Sequence, residues 1–164
     1  MLVGMMGAGK TTLGRRLARK LGRPFLDSDQ QVEARTGRTV REIFEADGEP
    51  AFRALETEAL ADALDTSSPS IIAAAGGTVL SEENRARMRA AGRVIWLRAD
   101  PEVLAERVRN GVHRPLLAED PAQVLHDLDA TRRELYEDVA DHVVDTTGRS
   151  PDEVLAEVER LVSS

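Results

Sequence analysis

Eight residues near the start of the chain have the types and spacing needed to bind phosphate. Gly4 to Thr11 fit G-x-x-x-x-G-K-[ST], the pattern of the phosphate-binding P-loop. Glycines let the backbone point successive N–H groups at phosphate oxygens, and Lys10 supplies a mobile positive charge for the β- and γ-phosphates. The Thr11 hydroxyl suits Mg²⁺. The pattern predicts a nucleotide and Mg²⁺ site built from Gly7, Ala8, Gly9, Lys10, Thr11 and Thr12.

The residues around this loop, which we call the P-loop, support the same interpretation. Residues 1–3 are apolar and predict the end of a strand, and apolar residues recur at helical spacing from Lys10 to Leu21. Such a helix would direct the positive end of its dipole at bound phosphate. The chain has twenty arginines but two lysines, Lys10 and Lys20. A lysine where a compact ammonium is required favours a P-loop over a chance glycine-rich turn.

Two carboxylates follow the second predicted strand. Residues 24–26 predict a short strand, and Asp27 and Asp29 come directly after it, separated by Ser28. In open α/β sheets this carboxyl end is where ligands bind. We favour a functional interpretation, with Asp27 near Mg²⁺ and Asp29 on a substrate hydroxyl. The alternative is a purely structural role, with Asp29 as the N-cap of a helix over residues 30–36.

Three later stretches are weaker candidates when taken alone. Arg53 and Glu56 lie three residues apart on a predicted helix, and this spacing by itself predicts a solvated ion pair. Residues 75–78 form a glycine-rich turn after a buried strand, where the backbone could approach a ligand or simply turn. Residues 112–120 show no periodicity, and we interpret about 109–120 as a lid that carries Arg114.

The predicted elements give the fold class. Apolar strands alternate with helical stretches along the chain, and this pattern indicates α/β architecture with a parallel sheet. We predict a three-layer fold with a five-stranded parallel sheet, helices on both faces, a mobile lid and helices that bind substrate. At 164 residues the chain predicts a single domain over 1–164, with a substrate-binding region over about 29–60.

Composition excludes several classes of function. The formal net charge of −7 argues against a general binder of nucleic acid or anionic membranes. There is no cysteine, which excludes disulfides and thiolate metal sites. No apolar run reaches membrane-spanning length and no signal pattern opens the chain, so a cytoplasmic protein is expected. Because three residues precede Gly4, we also expect upstream residues to lengthen the first strand; no gain in melting temperature on extension would contradict this.

Together these motifs resemble the shikimate kinase family over essentially the whole chain. Each motif after the P-loop is weak alone, but their order along the chain is specific. The motifs are Gly4 to Gly14, Asp27 to Asp29, Phe52-Arg53 with Glu56, the glycine turn, Arg114 to Leu117, and Arg133 ahead of Leu135-Tyr136. The resemblance implies ATP-dependent phosphorylation of the shikimate 3-hydroxyl, in the pathway to chorismate and aromatic amino acids. Family likeness also favours a monomer.

The resemblance implies a role for each matching position. Asp29 would bind ring hydroxyls and serve as the candidate base, while Arg53 and Arg133 would hold the shikimate carboxylate beside Gly76 and Gly77. Glu56 would then orient Arg53, which replaces the solvated ion pair predicted from spacing. On the nucleotide side, Lys10 and Arg114 would neutralise the phosphates. The remaining implied contacts are Thr11 and Asp27 for Mg²⁺, and Arg107 and Arg149 beside adenine.

One departure from the family and three rival functions accompany this interpretation. The family usually has three glycines where this chain has Ala75, Gly76 and Gly77, and the added Cβ bears on substrate affinity. The nearest rival is another small-molecule kinase such as a gluconate kinase, which needs no arginine clamp. Asp145 to Gly148 match the D-x-x-G of nucleotide switches, but no N-K-x-D motif exists. A catalytically silent relative is the third rival, and the intact catalytic positions argue against it.

Overall fold

A computed structural model describes residues 1–109 and 120–163. Five strands form one parallel sheet in the order β2-β3-β1-β4-β5. The strands are β1 (Leu2–Val3), β2 (Phe25–Asp27), β3 (Ile71–Ala73), β4 (Ile95–Arg98) and β5 (His142–Asp145). The helices are α1 (Lys10–Leu21), α2 (Ser28–Thr36), α3 (Val40–Leu64), α4 (Glu82–Ala91), α5 (Pro101–Arg109), α6 (Pro121–Val139) and α7 (Pro151–Ser163). The predicted α/β class and the five-stranded parallel sheet are confirmed.

Helices cover both faces of the sheet. Alternate residues of a strand point to opposite faces, so each strand presents side chains to helices on both sides. Leu2 faces α1, where it lies beside Gly14. The next residue, Val3, is in register with Trp96 of β4, and the Trp96 ring stacks on Tyr136 of α6 at a centroid distance of 5.6 Å. The tryptophan is therefore a core residue, and α1 and α6 lie on opposite sides of the sheet.

Polar residues fix the starts of several helices. Thr39 and Glu42 form a reciprocal capping box at the start of α3, and Ser150 and Glu153 exchange the same pair of hydrogen bonds before α7. Near its middle, α3 is kinked at Gly48, where φ is 82° and ψ is 174°. Gly48 therefore separates two helical segments that are joined in α3.

Helices α2 and α3 have a small hydrophobic core of their own. Val32, Ile43, Phe52 and Ala59 are buried together, apart from the main cluster around the sheet. The main cluster carries the strands and the remaining helices. Helix α3 also contributes Leu60 and Leu64 to the main cluster. The helices that carry Asp29 and Arg53 therefore share a small core of their own and are joined to the main core through the end of α3.

Candidate active site

The P-loop follows β1 and wraps the start of α1. Gly9 caps this helix in the left-handed region, with φ of 92°, a conformation that favours glycine. Gly9 has no side chain that could occupy the first amides of α1, so those donors face a ligand position. The Lys10 ammonium donates hydrogen bonds to the carbonyls of Gly4 at 2.7 Å and Met5 at 2.9 Å. Gly7, Thr11 and Thr12 line the adjoining pocket with Lys10, whereas Ala8 is buried behind them.

Asp27 links the P-loop to the second strand. The Thr11 hydroxyl donates a hydrogen bond of 2.7 Å to Asp27 Oδ2. The other carboxylate oxygen, Oδ1, accepts from the backbone N–H groups of Asp29 at 3.1 Å and Gln30 at 3.3 Å. Asp27 is therefore the N-cap of α2, and the alternative that gave this role to Asp29 was wrong. Asp29 lies in the first turn of α2 and lines the pocket.

Arg53 is held by two glutamates. Its Nη1 donates to Glu56 Oε2 at 2.5 Å, and its Nη2 and Nε donate to Glu49 Oε1 at 2.9 and 3.2 Å. The Glu56 side chain is only 2% exposed, so this pair is not the solvated one that spacing alone predicted. Burial raises the pKa of Glu56 to about 7, against the opposing effect of Arg53; the nearby charge of Asp29 contributes to the increase.

The glycine turn after β3 lies close to the side chains of two arginines. A Cβ on Gly77 would overlap the Arg53 guanidinium, and a Cβ on Gly76 would lie 3.6 Å from Nη1 of Arg132. The Tyr136 hydroxyl donates a 2.8 Å hydrogen bond to the Gly76 carbonyl. Ala75 does not adopt a positive φ, so its Cβ causes no backbone strain at this position. The turn therefore accommodates the alanine.

Arg132, rather than the predicted Arg133, lies in the pocket. Arg132 is 5% exposed, and its Nε has no hydrogen-bond partner among residues 1–109 and 120–163. The Arg133 side chain is 41% exposed and pairs with Asp129 at 2.6 Å, one turn earlier on α6. The two arginines are adjacent on a helix, so they point about 100° apart. The geometry therefore places Arg132 where the sequence interpretation placed Arg133.

Arg107 is at the pocket edge and Arg149 lies outside it. Arg107 donates to the side chain and backbone oxygens of Thr146, at 3.0 and 2.8 Å, and lines the pocket. Arg149 donates to the Asp145 carbonyl at 3.0 Å and pairs with Glu157 at 2.6 Å. It is not among the pocket-lining residues. Arg114 and nearly all of the predicted lid lie outside the described residues.

These groups meet around one pocket of about 800 Å³ at the carboxyl ends of β1, β2 and β3. Ligands bind at this edge in open parallel sheets. The pocket also includes side chains that the sequence interpretation missed, namely Gln30, Glu33, Thr39, Val40, Arg41, Phe44 and Arg132. For Arg132 a signal existed, because it falls four residues before the buried Tyr136 on the inward stripe of α6.

No group of three or more potential metal-ligating carboxylate or histidine side chains occurs in the part of the chain that is described. Among the described helices, none has the length and apolar character required to span a bilayer.

Comparison with known proteins identifies the family. The family model described as shikimate kinase matches residues 6–163. The chain is 49% identical over 160 residues to the shikimate kinase of Symbiobacterium thermophilum, covering 96% of this chain and 91% of that protein. The structure of Acinetobacter baumannii shikimate kinase in complex with shikimate aligns with a TM-score of 0.91 and 39% identity, covering 99% of this chain and 90% of that one.

A gluconokinase from Sinorhizobium meliloti aligns less closely, with a TM-score of 0.58 and 18% identity over 99% of this chain and 94% of that one. At this identity the likeness extends to the fold alone. The match to the family model over nearly the whole chain, together with the close relatives, shows that this chain belongs to the shikimate kinase family.

Proposed function

We propose that the chain transfers the γ-phosphoryl group of ATP to the 3-hydroxyl of shikimate, giving shikimate 3-phosphate and ADP. The observation that carries this proposal is the convergence of Lys10, Asp29, Arg53 and Arg132 on one pocket. A phosphate-binding lysine, a carboxylate and two arginines are what a hydroxylated carboxylic acid and a nucleotide require together. The similar Acinetobacter baumannii protein has shikimate bound.

The acceptor would be oriented by charge at one end and hydrogen bonding at the other. Arg53 and Arg132 provide guanidinium groups that pair with a carboxylate. The Nε of Arg132, which has no hydrogen-bond partner within 1–109 and 120–163, supplies a buried donor. Asp29, at the start of α2, would accept a hydrogen bond from the attacking hydroxyl and take its proton as transfer proceeds. Gly76 and Gly77 would let the substrate ring approach the backbone of the turn.

The phosphate groups would be held by the P-loop. The first amides of α1 and the positive end of its dipole would bind phosphate oxygens. Lys10 would exchange its hydrogen bonds to the Gly4 and Met5 carbonyls for the β- and γ-phosphates. In this position its charge would balance the negative charge that moves between the nucleotide and the acceptor during transfer.

The oxygen atoms of Thr11 and Asp27 fit a Mg²⁺ site. They lie 2.7 Å apart at the end of the P-loop, and a hydroxyl with a carboxylate is a donor set that Mg²⁺ accepts. Bound Mg²⁺ would neutralise part of the phosphate charge. Asp27 would have to release its hydrogen bond from Thr11, while its second oxygen continues to cap α2.

The remaining assignments complete the proposal. The chain would act as one kinase domain over 1–164, with the substrate region over about 29–60 and a lid over about 109–120 carrying Arg114. Arg107 would flank adenine at the pocket edge; Arg149 would reach it by exchanging its contacts with Asp145 and Glu157. We expect a cytoplasmic monomer that binds no nucleic acid and no membrane.

The product identifies the reaction directly. The protein is incubated with Mg²⁺-ATP and shikimate, and the mixture is analysed by mass spectrometry and ³¹P NMR. We expect one phosphorylated product whose phosphorus couples to the proton at C3 of the shikimate ring. Phosphate on another hydroxyl would contradict the role of Asp29 as base for the 3-hydroxyl. The absence of any phosphorylated acid would refute the proposal.

A further inference from the structure

The Arg53 side chain lines two cavities. On one side lies the pocket that contains Lys10, Asp29 and Arg132. On the other side lies a smaller cavity of about 380 Å³, lined in part by Glu49, Thr57, Leu80 and Asn84. Arg53 therefore belongs to both cavities, and only the larger one is the site described above.

Every nitrogen of this guanidinium already has a carboxylate partner. Glu49 Oε1 accepts from both Nη2 and Nε, and Glu56 Oε2 accepts from Nη1. The Nε–Nη2 edge is one of the edges through which arginine grips a carboxylate with two parallel hydrogen bonds. These contacts use three of the five guanidinium N–H groups. A substrate carboxylate that takes the Nε–Nη2 edge with two parallel hydrogen bonds must therefore displace Glu49.

The two glutamates differ in how easily they exchange. Glu56 is 2% exposed, and separating its carboxylate from Arg53 would leave a charge buried without a partner. Glu49 is 56% exposed, and it sits directly after the Gly48 kink, beside the smaller cavity. Water can solvate the Glu49 carboxylate as it leaves, so Glu49 is the partner that yields.

Other contacts keep the guanidinium in place when Glu49 leaves. The Arg53 Cζ lies 5.5 Å from the ring centroid of Phe52 and 6.0 Å from that of Phe44. These aromatic faces and the hydrogen bond to Glu56 hold the group between the two cavities. Loss of the Glu49 contact therefore frees a carboxylate-binding edge without releasing the arginine.

We propose that Glu49 is an internal competitor for Arg53, which the substrate carboxylate must displace, and that it thereby sets the affinity for the acceptor. The inference rests on the proposed function, in which Arg53 holds this carboxylate. A ligand without a negatively charged carboxylate does not replace the charge of Glu49. Such a ligand gains nothing from the exchange, so Glu49 also favours anionic acceptors over neutral analogues.

The test compares Glu49→Gln with Glu83→Gln. Glu83 is a matched control because it pairs with Arg87 at 2.6 Å in the same i,i+4 geometry on α4, and it is absent from both cavities. The shikimate KM, the ATP KM and kcat are measured by coupled ADP release. We expect Glu49→Gln to lower the shikimate KM by about two- to fivefold, the range spanned by partly exposed ion pairs. The ATP KM should not change, and Glu83→Gln should match the wild type.

Binding of the methyl ester of shikimate, measured by calorimetry, provides the second readout. The ester lacks the negative charge, so its Kd should be equal in wild type and Glu49→Gln. A shikimate KM that is unchanged or raised in Glu49→Gln, with normal wild-type turnover, overturns the inference alone. An equal gain in affinity for the ester also overturns it, because the effect would then be structural. A folded wild type that binds no shikimate overturns both this inference and the proposed function.

Discussion

Replacing Arg132 or Arg133 separately by alanine tests which arginine of α6 holds the substrate. Arg132 is buried at the pocket, whereas Arg133 is half-exposed and pairs with Asp129. A hydrogen bond to a charged group contributes about 1.5–3 kcal/mol. Loss of the Arg132 contact should therefore raise the shikimate KM by about 10- to 100-fold. Arg133→Ala should leave it within about twofold, since an exposed i,i+4 pair contributes about 0.3–0.5 kcal/mol and only to stability.

The assay is coupled ADP release at saturating Mg²⁺-ATP with shikimate varied. Thermal melting of each variant identifies any loss of fold, which matters for Arg132 because it also packs beside Tyr136. Arg132→Lys retains the charge but loses the planar guanidinium, which can donate two parallel hydrogen bonds to a carboxylate. Its shikimate KM should therefore fall between those of wild type and Arg132→Ala. A large KM increase in Arg133→Ala with a normal Arg132→Ala would refute the assignment.

Three further variants test other parts of the site. Gly77→Ala should raise the shikimate KM with little effect on the ATP KM, because the added Cβ displaces the Arg53 guanidinium; unchanged kinetics for both substrates would contradict the close contact. Asp29→Asn should reduce kcat by at least about 100-fold, while calorimetry still detects ATP binding; near-normal turnover would remove Asp29 from its role as base. The pKa of Glu56 is raised to about 7 by burial, so its proton is lost as the pH rises from about 6 to 8, and the ionised form anchors Arg53. The shikimate KM should therefore decrease over this range in the wild type but not in Glu56→Gln, and an identical pH profile in both would show that Glu56 does not control Arg53.

The same shift in Glu56 has a defined sign for stability. A carboxyl whose pKa is higher in the folded protein than its ordinary value of 4.5 binds more protons when folded, so its contribution to the free energy of unfolding falls between about pH 4.5 and 7. Above about pH 7 this decrease in the free energy of unfolding is complete, and Glu56 causes no further change with pH. Chemical denaturation should show that Glu56→Gln removes this part of the pH dependence.

Features that depend on neighbouring residues could be predicted from the sequence. The P-loop is continuous in the chain, so its pattern predicts the phosphate-binding turn, the role of Lys10 and the helix that begins there. The capping box at Thr39 and Glu42 is equally local. The alternation of apolar strands with helices predicts a parallel sheet, and this in turn predicts that Asp27 and the glycine turn meet at one edge.

Features that depend on exact helical register were harder to predict. The sequence contains two adjacent arginines on α6, and the choice between them depends on which one shares a stripe with Tyr136. Since one residue rotates a helical position by about 100°, an error of one position moves a side chain from the pocket to the surface. The cap of α2 was misplaced for a similar reason, as the helix begins at Ser28 rather than after Asp29.

Contacts across the kink in α3 could not be derived from spacing alone. An i,i+4 pair such as Glu49 and Arg53 occurs on many helices and usually indicates a solvated ion pair. Its significance comes from tertiary structure, which places the glycine turn, the aromatic rings and a second cavity around the same guanidinium. Several of these neighbours, including Gly77, Leu80 and Asn84, are far from Arg53 in the sequence.

In the proposed reaction the pocket transfers the γ-phosphoryl group of ATP to shikimate. The most direct measurement is ADP release with Mg²⁺-ATP in the presence of shikimate, gluconate or no acceptor, with a Lys10→Ala variant as the control for contaminating activity. We predict rapid release with shikimate, background release with gluconate or without acceptor, and loss of the shikimate-dependent rate in Lys10→Ala. Release that depends on gluconate, or no acceptor-dependent release from folded protein, would contradict the claim.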